Sequence, residues 1–314
     1  MQSMRRLVVF GDSWGMGYLK NSDNSRNDVY RNFPRLLAED LGVELLNYSQ
    51  TGHSMTCMVN DFILYVNQEH REGDLVLMLW TEWDRTTVRT KPHNEFPVIT
   101  DSRMDDIHPR GYKNRYIGVP QGFDLINQTV INHAKFSGKS DPDKEWCVDT
   151  TNTLEDPLYQ RLLGKMSYRT FKDICHEKNI PYLQTFSCCE GHKADEVRWY
   201  VSGDGSELTT QMTRCPQETI EVTRDYPIID KDDPTIIESG KYSNTLIDIV
   251  IDNWLGDRYK KAYFKEKRGI IRAHSFENKR WKEHLNSHCM HPTPEGHKLI
   301  AKTLAPYIKR KLEE

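Results

Sequence analysis

Two places near opposite ends of this 314-residue chain carry residue types suited to nucleophilic chemistry. The first is Leu7-Val8-Val9-Phe10-Gly11-Asp12-Ser13-Trp14, where an apolar run leads into a Gly-Asp-Ser turn. A serine hydroxyl is a weak nucleophile until a base takes its proton. Imidazole is the side chain whose ordinary titration suits that task near neutrality. The second place, His288-Cys289-Met290-His291-Pro292, supplies such rings. The same histidines, with His284, His297 and Cys289, could instead be read as zinc ligands. No second ligand cluster and no His-Glu-x-x-His spacing accompany them, so no metal and no other cofactor is expected.

The elements that must position these groups are legible as an alternation of strands and helices. Leu7–Phe10 reads as a short buried strand ending at the serine, at the carboxyl edge of a sheet, where ligands of open α/β folds bind. A polar stretch, 21–31, reads as a loop. Asn32-Phe33-Pro34 opens a helix with Leu36, Leu37, Ala38 and Leu41 on its stripe, and Gly42 suits its end. Val43–Tyr48 predicts a second strand followed by the small-residue loop 49–54, and a helix spans about 55–68. Asp74–Trp80 is apolar without alternation, as a strand covered on both faces should be. A helix is expected over 158–177, a strand over 180–186, and a last helix from Pro294. This order predicts a parallel sheet wound with helices.

Two segments break the pattern. Residues 86–157, punctuated by Pro92, Pro97, Pro109 and Pro120, read as one insertion, partly helical around Phe123–Ala134. Residues 188–280 read as another. It holds a turn cluster at Ser202–Ser206, a short strand near Thr219–Thr223 and an apolar group at 246–251 that fits helix or strand. Its basic stretch, Lys260–Arg272, reads as a solvated face.

A Gly-Asp-Ser after an N-terminal strand and a His-Pro before a last helix resemble the SGNH/GDSL hydrolase family. The resemblance covers about 5–85, 158–187 and 284–312. It implies a three-layer α/β/α sandwich with a short parallel sheet, here a single domain over 1–314 with the two large insertions at about 86–157 and 188–280. It implies Ser13 as nucleophile and His291 as base. Gly52 would be an oxyanion donor, and Asp12 and Trp14 belong with the oxyanion and substrate-contacting set. Two blocks depart from the family pattern. After the third strand the chain reads Thr81-Glu82-Trp83-Asp84-Arg85 with no Asn, leaving Thr81 and Arg85 to serve the oxyanion. This resembles divergent, phage-encoded branches. His288 stands where an Asp usually orients the base, so the site is a Ser13–His291 dyad, or a triad completed by another group. Glu283 and Glu295 are near in sequence.

The activity this implies is hydrolysis of a small acyl ester, with O-acetyl groups on carbohydrate as the leading substrate class. Two other readings stay open: a catalytically impaired binding or virion-assembly protein, and a phosphodiesterase or nucleotide-directed hydrolase. A net charge of -3 argues against whole-chain attraction to nucleic acid or anionic membranes. Arg5-Arg6 and Lys309-Arg310-Lys311 are expected on solvated faces. Seven cysteines, without paired spacing, suit free thiols in a reducing compartment. With no secretory signal evident, a cytoplasmic protein is expected, or a virion component or homo-oligomer.

Overall fold

The computed structural model describes residues 5–16, 18–20, 27–29, 31–49, 53–81, 86–89, 123–126, 157–187, 195–201, 208–214, 229–230, 232–238, 244–255, 281–285 and 291–314. A four-stranded parallel sheet forms its centre. It comprises β1 (Arg6–Phe10), β4 (Glu44–Asn47), β5 (Asp74–Trp80) and β8 (Tyr182–Phe186), in the order β4-β1-β5-β8. Every residue of β1 and β5 is buried, because helices cover both faces. Alternate side chains serve opposite layers. Leu7, Val9, Leu75 and Leu77 pack towards α2 (Phe33–Leu41), α5 (Leu246–Leu255) and α7 (Pro294–Glu313). Val8, Phe10, Val76, Met78 and Trp80 pack towards α3 (Met55–Gln68) and α4 (Pro157–Lys178). Each fully buried Leu, Val or Phe contributes roughly 1.5–3 kcal/mol, so the two layers hold the sheet as a rigid floor. The result is the expected α/β/α sandwich.

The helix ends follow their capping residues. The Asn32 side chain accepts from Arg35 N–H at 3.0 Å at the start of α2, and Gly42 ends it at φ 65°, a left-handed conformation that favours glycine. Ser54 caps α3 and Thr293 caps α7. Thr245 opens α5 by accepting from Asp248 N–H and donating to its carboxylate at 2.8 Å, which resolves the 246–251 cluster as helix.

Three expectations change. Within the stretch expected to be loop, β3 (Asn27–Val29) is a strand, paired antiparallel with β2 (Tyr18–Lys20), which lies just before that stretch. Phe123–Ile126, read as helical, is strand β7, paired with β6 (Thr86–Arg89). Backbone pairing with a distant partner overrides local propensity there. Arg6 is also not on a solvated face: it is buried. Its neighbour across the parallel register is Asp74, the first residue of β5, and their side chains form a two-pronged ion pair at 2.5 and 2.7 Å. Tyr65 and Arg71 N–H also donate to that carboxylate.

In the second insertion, β9 (Asp195–Val201) and β10 (Leu208–Arg214) pair antiparallel, and the turn cluster expected at 202–206 lies outside the described residues. Thr219–Thr223 and Lys260–Arg272 lie outside the described residues. Among the described residues no helix is long and apolar enough to cross a membrane.

Candidate active site

β1 and β5 are adjacent, while the chain leaves β1 for β4 on the other side before returning to β5. A sheet wound this way opens a crevice at its carboxyl edge between such strands, and ligands bind there. Asp12 and Ser13 lie at that end of β1, and Thr81 at that end of β5.

Ser13 begins α1 (Ser13–Met16), a single helical turn fastened from three directions. The carboxylate of Asp12 accepts from Trp14 N–H at 2.9 Å with one oxygen and from the Thr81 hydroxyl at 2.9 Å with the other. The Asn47 amide, at the end of β4, donates to Gly15 O at 3.0 Å, and its oxygen accepts from Ser49 N–H at 3.0 Å. The Asn32 amide donates to Met16 O at 2.9 Å. Gly15 allows close approach to Ser49, just after β4. A Cβ there would lie 2.3 Å from Ser49 Oγ and 2.9 Å from Ser49 Cβ.

The histidine arrives from the other end of the chain. A single antiparallel bridge pairs Leu285, just after α6 (Trp281–His284), with Pro292. Thr293 N–H donates to His284 O at 2.9 Å, and the Thr293 hydroxyl donates to Glu283 O. Gly296 completes the junction, because a Cβ there would lie 2.2 Å from His284 O. This closure holds His291 with its Nε2 2.6 Å from Ser13 Oγ. At that distance the hydroxyl can donate to an unprotonated Nε2, as a nucleophile–base pair requires. The Trp14 ring lies beside the imidazole, with centroids 6.4 Å apart and planes at 37°.

The structure thus brings together Ser13, His291, Asp12, Thr81 and Trp14. Asp12 is fully buried, with both carboxylate oxygens engaged by the chain itself, and Trp14 is 2% exposed within the core. In this arrangement Asp12 clamps the turn that carries Ser13, and Trp14 packs beside it. The Thr81 hydroxyl proton is engaged by Asp12. Glu295 pairs with Lys298 at the surface and Glu283 is exposed. Gly52, Arg85 and His288 lie outside the described residues, as does Trp83.

Sequence reasoning placed Asn32 at a helix start and weighed His297 only as a zinc ligand, and it gave Asn47 no role. Asn32 and Asn47 carry the amides that fasten the turn bearing Ser13. His297 is fully buried on α7 and its Nδ1 accepts from Phe33 N–H at 3.1 Å. Burial, and secondarily the charge on His291, push its imidazole down to about 3, so the ring stays a neutral acceptor. Among the described residues, no group of three or more His, Cys, Asp or Glu side chains is arranged to hold a metal ion.

A second polar cluster lies behind β8. Tyr168, Lys172, Gln184 and Thr235 all donate to Asp233. Burial alone would raise that carboxyl, but the donors bring it to about 2. Gln184 also accepts from the indole of Trp80 at 2.7 Å, which holds this tryptophan in the core.

Neither a family model nor a curated protein matches the chain. Among solved structures it is similar to a lipase/acylhydrolase from Enterococcus faecalis, at 12% identity and a TM-score of 0.38 over 98% of this chain and 97% of that one. It is also similar to a protein described as lipolytic, of the G-D-S-L family, from Desulfitobacterium hafniense DCB-2. There the identity is 17% and the TM-score 0.21, over 57% of this chain and 76% of that one. At TM-scores this low the likeness carries no argument, and the functional reading rests on the chain's own geometry.

Proposed function

We propose that this chain is a serine hydrolase that cleaves small acyl esters, with Ser13 as nucleophile and His291 as its base. One observation carries the reading: the 2.6 Å approach of His291 Nε2 to Ser13 Oγ, between residues 278 apart in sequence. It stands at the carboxyl edge of the sheet, where the winding leaves a crevice.

In the proposed reaction Ser13 Oγ attacks the ester carbonyl carbon while its proton passes to His291 Nε2. The C=O pair of electrons moves onto the oxygen, giving a tetrahedral oxyanion. The main-chain N–H groups of Ser13 and Gly52 are the donors assigned to it, with Arg85 as a charged neighbour. The Thr81 hydroxyl serves indirectly, by fixing Asp12 and hence the turn that carries Ser13. Collapse breaks the bond to the alcohol oxygen, which leaves with the proton from Nε2. Water then repeats the sequence on the acyl-serine, with His291 again as base and then acid, releasing the acid. O-acetyl groups on carbohydrate are the proposed substrate class, a small acyl group suiting a nucleophile as enclosed as Ser13.

The test is labelling with a fluorophosphonate, which reacts with base-activated serines without needing the natural substrate. Wild-type protein should label, Ser13→Ala should not, and His291→Ala should label far more slowly. A folded wild type that stays unlabelled by a small probe would refute the hydrolase and leave the chain a binding or assembly protein. Labelling that persists in Ser13→Ala would place the nucleophile elsewhere. A screen of acyl esters, acetylated glycans first, then identifies the substrate.

A further inference from the structure

The nucleophile and the base sit on elements from opposite ends of the chain, yet proton transfer demands that their separation be held to within about 0.5 Å of the productive distance. The start of α2 touches both. Asn32, its N-cap, has one fixed orientation: its oxygen accepts from Arg35 N–H at 3.0 Å, so its nitrogen faces Met16 O at 2.9 Å, the last carbonyl of the nucleophile turn. The next residue, Phe33, has a main-chain N–H with no intrahelical acceptor, as at any helix start. It donates instead to His297 Nδ1 at 3.1 Å. The two rings stack, with centroids 6.0 Å apart and planes at 18°. His297 lies in the first turn of α7, whose cap, Thr293, follows His291 by two residues.

We infer that Asn32 and His297 are positioning residues: together with Phe33 N–H they form a brace that sets the separation of Ser13 from His291. One end of the brace grips the turn that carries Ser13, and the other grips the helix that follows His291. The acceptor must be a neutral ring nitrogen or its equivalent. A protonated imidazole would present N–H to N–H and push α7 off α2. Neither residue touches the substrate. The inference rests on the Ser13–His291 reading for its catalytic meaning, though the brace itself can be read without turnover.

The experiment compares His297→Asn, which keeps an acceptor near the Nδ1 position, with His297→Leu, which removes it. Two readouts are taken on folded protein: the rate of fluorophosphonate labelling, and the Nε2 nitrogen shift of His291, which reports whether the ring still meets the Ser13 hydroxyl. His297→Leu should slow labelling by about 10- to 100-fold, the cost expected of a misplacement near 1 Å, and should move the His291 shift. His297→Asn should recover most of the rate and the wild-type shift. Should His297→Leu not fold, Asn32→Asp takes its place: it retains the cap acceptor for Arg35 but loses the donor to Met16 O, and should slow labelling in the same range. A leucine variant, or that aspartate variant, with wild-type labelling and an unmoved His291 shift overturns the brace and leaves these residues ordinary core. A wild type that does not label, while His297→Leu moves the His291 shift and His297→Asn does not, retains the brace and removes the hydrolase.

Discussion

Replacing Gly15 by alanine tests whether the turn that carries Ser13 is held by close packing against Ser49, just after β4. The new Cβ would fall 2.3 Å from Ser49 Oγ and 2.9 Å from Ser49 Cβ. Rotating the Ser49 hydroxyl away relieves the first contact but not the second, so the turn or the β4 end must move. Overpacking of this kind costs roughly 1–3 kcal/mol. Losing a glycine from a helical turn returns about 0.5–1 kcal/mol of that, leaving a net loss of about 0–2.5 kcal/mol, near 1 kcal/mol at the middle of both ranges. Ser49→Ala on its own should do the opposite. Its hydroxyl is fully buried and has no hydrogen-bond partner among the described residues, so removing it relieves a desolvation cost of about 1 kcal/mol. Ser49→Gly, which removes both offending atoms, should restore Gly15→Ala. Melting temperatures of wild type, Gly15→Ala, Ser49→Ala, Ser49→Gly and the Gly15→Ala/Ser49→Gly double variant read these differences, at about 2 °C per kcal/mol for a chain of this size. Labelling of Ser13 should fall in Gly15→Ala and recover in the double variant, since Ser13 begins the same turn. Strictly additive melting shifts, or a Gly15→Ala protein as stable and reactive as wild type, would refute the close-packing account.

Three further outcomes follow from the interior polar groups. His297 titrates near 3 when folded against an ordinary 6.5, so the unfolded chain binds more protons between those values. Its contribution is fully present above about pH 6.5 and is lost as pH falls towards 3, about 2 kcal/mol of it by pH 5. Urea unfolding at pH 7 and pH 5 should show that loss in wild type and a smaller one in His297→Asn. Asp74→Asn leaves Arg6 buried and uncompensated at the amino edge of the sheet, and should cost roughly 3–5 kcal/mol in unfolding free energy. Its folded fraction should label at Ser13 as wild type does, because that edge lies at the far end of the strands from the serine. Thr81→Val removes the donor to Asp12 and should both destabilise by about 1–3 kcal/mol and slow labelling, whereas Thr81→Ser should preserve both. A valine variant with full reactivity would show that Asp12 needs no clamp from β5.

What the sequence reveals and what it hides divide along a physical line. β1 and β5 are legible because a strand covered on both faces must be apolar at every position, and Leu7–Phe10 and Leu75–Trp80 are. The ends of α2 are legible because Asn32, Pro34 and Gly42 satisfy or terminate backbone groups within a few residues of themselves. Ser13 and His291 stand out because each combines a reactive side chain with such a local boundary, a strand end and a helix start. Interior polar groups follow no such rule. Arg6 is buried only because Asp74 meets it 68 residues away, and His297 accepts from Phe33 N–H across 264 residues. Asn47 holds Gly15 O across 32. Nothing in the spacing around any of these residues separates a surface side chain from a buried one, since the partner that makes burial tolerable is supplied by the fold. The short pairs β2–β3 and β6–β7 escape for a related reason: three or four residues are too few for an alternation to show. A candidate reactive pair can therefore be nominated from sequence, because its chemistry is intrinsic to the side chains. The groups that hold the pair in register can be found only once distant segments are brought together.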